Sequence, residues 1–204
     1  MENKFGFVSL SGRTNVGKST LLNAFFQKKI AITSRKPQTT RNRILGILTE
    51  EKSQIVFLDT PGVHLGYKRQ LNKVMNKIAS HCYEEVDLVL FLIDRFKWQK
   101  EEENILKSLK NLNKPVVLVI NKIDRLRDKT KLLAFIKDIS EKFNFLSIVP
   151  ISALKKDNLM ELKSVILNNL EIGPYHFPED SLTEFSDNFF ISEIIREKAI
   201  NRLG

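Results

Sequence analysis

The stretch Gly12-Arg13-Thr14-Asn15-Val16-Gly17-Lys18-Ser19 decides the fold. It follows an apolar, β-rich run at 5–10 and opens a helical pattern at 19–27. Its G-x-x-x-x-G-K-[ST] spacing therefore lies where a phosphate loop needs it, between a strand and a helix. Glycines let the backbone curl so that successive N–H groups point at a β-phosphate, while Lys18 reaches the β/γ oxygens and Ser19 offers its hydroxyl to Mg²⁺. The whole octet, with Thr20, is the candidate phosphate-binding set, and Lys18 is assigned catalytic work as well.

Outward from this loop, strand candidates at 5–10, 44–48, 54–58, 88–93, 116–120 and 146–151 alternate with helical spacing at 19–27, 70–83, 101–112, 129–143 and 159–170. That order predicts a three-layer α/β fold on a mostly parallel six-stranded sheet. The nearly unbroken apolar runs 88–93 and 116–120 fit parallel strands covered on both faces, and 44–48 pairs with 54–58 as an antiparallel edge.

Three further motifs follow strands, at the carboxyl ends where such sheets bind ligands. Asp59-Thr60-Pro61-Gly62 comes after 54–58. Asp59 is assigned to the magnesium shell through a metal-bound water, and Gly62 brings its N–H against the γ-phosphate. Asn121-Lys122-Ile123-Asp124 comes after 116–120 and reads the base. Guanine presents N1–H and an N2 amino group, and a carboxylate accepts from both; adenine offers a lone pair at N1 and no N2 amino group, so Asp124 selects GTP over ATP. Ser152-Ala153-Leu154, after 146–151, is expected to turn the amide of Ala153 toward guanine O6. Between the first helix and the second strand, the polar stretch 33–43 carries Thr39 and Thr40. One of the two completes the Mg²⁺ shell and contacts the γ-phosphate, with Thr40 preferred. Lys18, Thr40 and Gly62 form the expected catalytic set.

The bulk properties are compatible with this. The chain has 204 residues, 42% of them hydrophobic, enough for one domain of ordinary core size with a small appendage. Its apolar runs are too short to span a bilayer, and its start lacks the charge-then-apolar order of a signal peptide, so a cytoplasmic location is expected. Cys82 stands alone, and the three histidines form no metal cluster in sequence. The net charge is +9, yet from Tyr175 onward six acids face three bases, so the first 174 residues carry +12. That balance points to an anionic partner, nucleic acid ahead of an acidic membrane surface. Gly173, Pro174 and Pro178 mark 173–180 as a linker between a nucleotide-binding domain at 1–172 and a second unit at 181–204 that looks like the incomplete start of a domain.

With these motifs in order, the chain resembles the Era family of the translation-factor-like branch of small GTPases. Gly12 to Ser19 extended by Thr20-Leu21-Leu22-Asn23, then Gln38-Thr39-Thr40-Arg41, Asp59-Thr60-Pro61-Gly62-Val63-His64 and Phe177-Pro178-Glu179-Asp180 carry the resemblance. Thr14 stands where that family often has proline. The resemblance implies a GTP-hydrolysing switch that cycles between GTP and GDP with Mg²⁺ and assists assembly of the small ribosomal subunit. It also implies a C-terminal KH domain on ribosomal RNA and some peripheral association with the inner face of the membrane. The eight glycines never fall at the Gly-X-X-Gly spacing of a KH clamp, and 192–203 resembles only the first helix of that domain. Val63 occupies the place where Ras-like GTPases put a water-orienting glutamine. The resemblance implies another strategy, in which Asn15 helps hold K⁺; loop filling is the competing role for Asn15. The alternative function is a basic RNA-binding module whose nucleotide site is structural and barely hydrolyses. A nucleotide kinase would need an arginine-rich lid and would leave 121–124 without a role.

Overall fold

The computed structural model describes residues 2–27, 44–50, 52–59, 86–126, 128, 130–181 and 195, with the side chains of Ile44, Leu45 and Asp59 outside the description. Six strands and a short seventh form one sheet: β1 (Lys4–Ser11), β2 (Ile44–Glu50), β3 (Ser53–Asp59), β4 (Leu88–Asp94), β5 (Val116–Asn121), β6 (Ser147–Pro150) and β7 (Glu171–Ile172). The order across the sheet is β2-β3-β1-β4-β5-β6. β1 runs parallel to β3 and β4, β4 to β5 and β5 to β6, while β2 lies antiparallel on β3.

Alternation along the strands builds the two outer layers. Leu88, Leu90 and Leu92 of β4 and Val117 and Val119 of β5 face one core, with Leu21 and Leu22 of α1 (Lys18–Phe26) and Leu162 and Ile166 of α4 (Leu159–Asn168). Val89, Phe91 and Ile93, with Leu118 and Ile120, face the other. That second core is closed by Ile105, Leu106 and Leu109 of α2 (Lys100–Lys110) and Ile139 of α3 (Thr130–Ser140). Every residue of β4 and β5 is buried, as strands covered on both faces must be.

The expected mostly parallel sheet with an antiparallel edge is present, and β7 adds a strand that the sequence did not announce. Glu171 and Ile172 pair antiparallel with Phe5 and Lys4, whereas β4 meets β1 only from Val8 onward. β7 thus completes the bare start of β1. Two residues are too few to show a hydrophobic period, which is why the pattern at 159–170 read as helix to its end. The helix stops at Asn168, and Asn169 caps it by donating its N–H to Ile166 O and its Nδ2 to Val165 O. The expected helix at 70–83 lies outside the described residues.

The stretch 173–177 packs on the sheet. Gln54 of β3, fully buried, accepts the N–H groups of His176 and Phe177 on Oε1, each at 3.0 Å. It donates Nε2 to Phe177 O at 2.9 Å and Thr49 Oγ1 at 3.0 Å. The His176 ring stacks on Phe5 at 4.0 Å, and Tyr175 donates its hydroxyl to Glu50 O.

Candidate nucleotide site

Parallel β1, β3, β4, β5 and β6 all end on one side of the sheet, and the sequence motifs leave from those ends. The register sets Leu10 beside Asp59, Asp94 beside Asn121 and Ile120 beside Pro150. Three loops far apart in sequence are thereby brought together.

The phosphate loop is preformed. Gly12, Asn15 and Gly17 have φ of 141°, 62° and 106°, the left-handed backbone of which anion-binding nests are built. A Cβ at Gly12 would stand 2.4 Å from Leu92 O, and one at Gly17 2.2 Å from Asn121 Nδ2, so close approach as well as φ requires glycine at both places. Lys18 is almost fully buried and donates Nζ to Gly12 O and Arg13 O, both at 2.9 Å. Its ammonium is thus aimed across the mouth of its own loop.

Asn121 ties this loop to the base-reading side. It donates Nδ2 to Val16 O at 2.7 Å, and its Oδ1 accepts from Lys122 N at 2.8 Å and Ala153 N at 3.0 Å. The Ala153 amide, expected at guanine O6, donates to Asn121 in this structure. An antiparallel bridge between Ser152 and Asp157 closes the 152–157 loop and turns that N–H inward. Ser152 accepts Lys155 N–H and donates Oγ to Asp124 Oδ1 at 2.6 Å. The exposed Asp124 carboxylate, on the 3₁₀ turn Ile123–Arg125, is held in one orientation at the rim. Leu154 is exposed at the same rim.

Lys122 bridges the two halves, donating Nζ to Asn15 O at 2.5 Å and Asp94 Oδ2 at 2.9 Å. Burial alone would raise the Asp94 carboxyl, but hydrogen bonds from Arg95 and Lys122 and their charges outweigh it and hold it below the ordinary aspartate value. The stabilisation Asp94 contributes is therefore complete above the unfolded value and is lost as pH falls through the lower folded one. Sequence reading missed Asp94, whose only signal is an acid closing an apolar strand.

A serine hydroxyl and an aspartate carboxylate are hard oxygen donors of the kind Mg²⁺ takes. Of the residues read for that ion, Ser19 is the second residue of α1, and the backbone of Asp59 ends β3 beside Leu10. Thr39, Thr40, Thr60, Pro61 and Gly62 lie outside the described residues. Among the described residues no His/Cys/Asp/Glu cluster could hold a metal, and no helix is long and apolar enough to cross a membrane.

Comparisons with known proteins agree with this geometry. The sequence profile of the family described as "50S ribosome-binding GTPase" matches residues 7–122. "GTPase Era" of Haemophilus influenzae strain Rd is 50% identical over 98% of this chain, and that of Yersinia enterocolitica 48%. The chain spans 66% of the length of these relatives. Among solved structures, Era with MgGDPNP and nucleotides 1506–1542 of 16S ribosomal RNA superimposes with a TM-score of 0.92 at 44% identity, covering 97% of this chain and 67% of that one. An Aquifex aeolicus Era variant bound to GDP and AlF4⁻ gives 0.91 at 44% identity, covering 96% and 67%. A chain whose parallel strands gather the Gly12–Ser19 loop and the segments at 121–124 and 152–157 at one side of the sheet, with Asn121 bonded across them, and nearly all of which aligns with about two thirds of these relatives, belongs to the Era family of P-loop GTPases.

Proposed function

We propose that this chain binds GTP with Mg²⁺, hydrolyses it to GDP and phosphate, and serves as a switch in assembly of the small ribosomal subunit, in contact with ribosomal RNA. The observation that carries the nucleotide part is the Asn121 side chain. It bonds Val16 of the phosphate loop and Ala153 of the base loop at once, setting the Ser152-oriented Asp124 at a fixed reach from the nest. Guanine's two donors meet a carboxylate there, and adenine meets a lone-pair clash.

In this reading Lys18 and the nest hold the β- and γ-phosphates, Gly62 donates its N–H to the γ-phosphate, and Ser19, Thr40 and Asp59 hold the magnesium ion. The metal, when bound, neutralises charge that grows between the β- and γ-oxygens. Asn15, at the lip of the loop, holds K⁺ as the second cation. GTP orders the residues around Thr40 and after Asp59, and hydrolysis releases them. The ribosomal part is supported by the related Era solved with a 16S RNA fragment and by the +12 body. A cytoplasmic location with peripheral contact to the inner membrane face belongs to the same reading.

The test is phosphate release from GTP by the purified chain, alone and with small ribosomal subunits. Release that rises with the subunits and is absent from Lys18→Ala is expected, because no neighbouring group replaces that lysine's charge-assisted bonds. Equal affinity for ATP and GTP would refute the base assignment, and GTP binding without release under any condition would leave the structural-site alternative standing.

A further inference from the structure

Arg13 is the first variable residue of the phosphate loop, and its side chain turns away from the cradle into the start of α2. Its Nε lies 2.6 Å from Glu102 Oε1, and its Nη1 donates to Gln99 Oε1 at 2.8 Å. The Glu102 side chain is fully buried and that of Arg13 is 15% exposed. Glu102 divides its two oxygens: Oε1 faces the guanidinium, and Oε2 accepts the N–H of Gln99 at 2.9 Å, closing the capping box of α2. A buried carboxylate is strongly unfavourable without a cation beside it, so this pairing fixes where the Arg13 residue sits. The carbonyl of that same residue receives Lys18 Nζ. An unbroken chain of contacts therefore runs from the cap of α2 through Glu102 and Arg13 to the ammonium that reaches the phosphates.

We propose that Glu102 is a positioning residue of the phosphate site: through Arg13 it holds the first turn of the loop, and with it the direction of Lys18. The inference rests on the GTP reading and deepens it. Glu102 touches no substrate. Its effect belongs to ligands that Lys18 reaches, the β- and γ-phosphates, and not to the base.

Glu102→Gln separates its two tasks, since an amide oxygen still accepts the Gln99 N–H while the buried charge beside Arg13 Nε is gone and only the part-exposed Glu101 carboxylate, 3.5 Å from Nη1, still faces the guanidinium. Because a nearly buried guanidinium that has lost its closest carboxylate can destabilise the fold, Arg13→Met/Glu102→Gln is made beside it. Wild type and both variants are titrated with GMP, GDP and GTP, and each is melted without nucleotide. In the variants, GDP and GTP are expected to weaken by about tenfold through lost preorganisation, while GMP affinity is unchanged and the double variant melts near wild type. If Glu102→Gln does not fold, the double variant decides alone. Wild-type affinity for GDP and GTP in the double variant would overturn the proposal, and so would an equal loss for all three nucleotides, which would show the pair acting on the whole fold. Failure of wild type to bind GDP or GTP would instead overturn the GTP reading itself.

Discussion

Asp124 stands exposed at the rim with Ser152 bonded to one oxygen, so replacing its carboxylate by an amide changes what the base meets more than it changes the fold. Asp124→Asn should shift preference from GTP to XTP, since xanthine carries an acceptor at C2 to which the amide can donate. Competition binding with both nucleotides checks this, and continued preference for GTP would mean that Asp124 does not read the base. Asn15 makes a different prediction. Replacing K⁺ by Na⁺ at equal ionic strength should slow phosphate release, and Asn15→Ala should erase the difference; equal rates in both salts would return Asn15 to loop filling. The residues legible in the sequence are those whose role follows from local geometry: glycines at positive φ, a lysine at the start of a helix, a carboxylate after a strand. Glu102 and Asp94 were not legible, because a buried acid is recognised only through the cation that a distant segment brings to it. The partner that the Ala153 N–H has in this structure was not legible either, since its acceptor lies 32 residues away on Asn121.

At the level of elements, β4 and β5 could be read directly because burial on both faces removes polar residues from a strand, leaving a run that a surface helix does not show. At 173–180, glycine and two prolines give the composition of a linker, and nothing local tells that a glutamine more than a hundred positions earlier supplies hydrogen bonds to it. Gln54 is an amide with two donor bonds and two acceptor bonds, all inside the protein. Gln54→Leu keeps the volume and strands those partners, so it should lower stability by about 1–3 kcal/mol. Thermal unfolding would show the loss, and limited proteolysis should cut near Tyr175 faster than in wild type. GTP affinity should hold, because the amide lies at the opposite end of β3 from Asp59; a large fall in affinity would mean that β3 transmits the docking to the site.

For the molecule as a whole, the charge of the first 174 residues predicts RNA binding that is weak, tolerant of sequence and steeply salt-dependent. Lysine and arginine contacts to phosphates release counterions, so log affinity should fall with log salt by roughly 0.7 to 0.9 per phosphate neutralised. Filter binding with matched and scrambled RNA across several salt concentrations tests both halves. Strong discrimination between the RNAs would place sequence recognition elsewhere on the chain, and a flat salt response would make the basic body a solvated face. The clamp made by Asn121 also sets a chronology. The phosphate loop is synthesised early, yet its Val16 carbonyl waits for a partner 105 residues later, and the Lys122 amine reaches Asn15 across 107. A nascent chain that has emerged only through α1 owns every phosphate-binding residue of the loop and still lacks the strand that holds the loop in shape. In the GTP reading, nucleotide affinity is therefore acquired late, once β5 and the 152–157 loop have joined the sheet, and from then on bound nucleotide favours the finished fold by mass action.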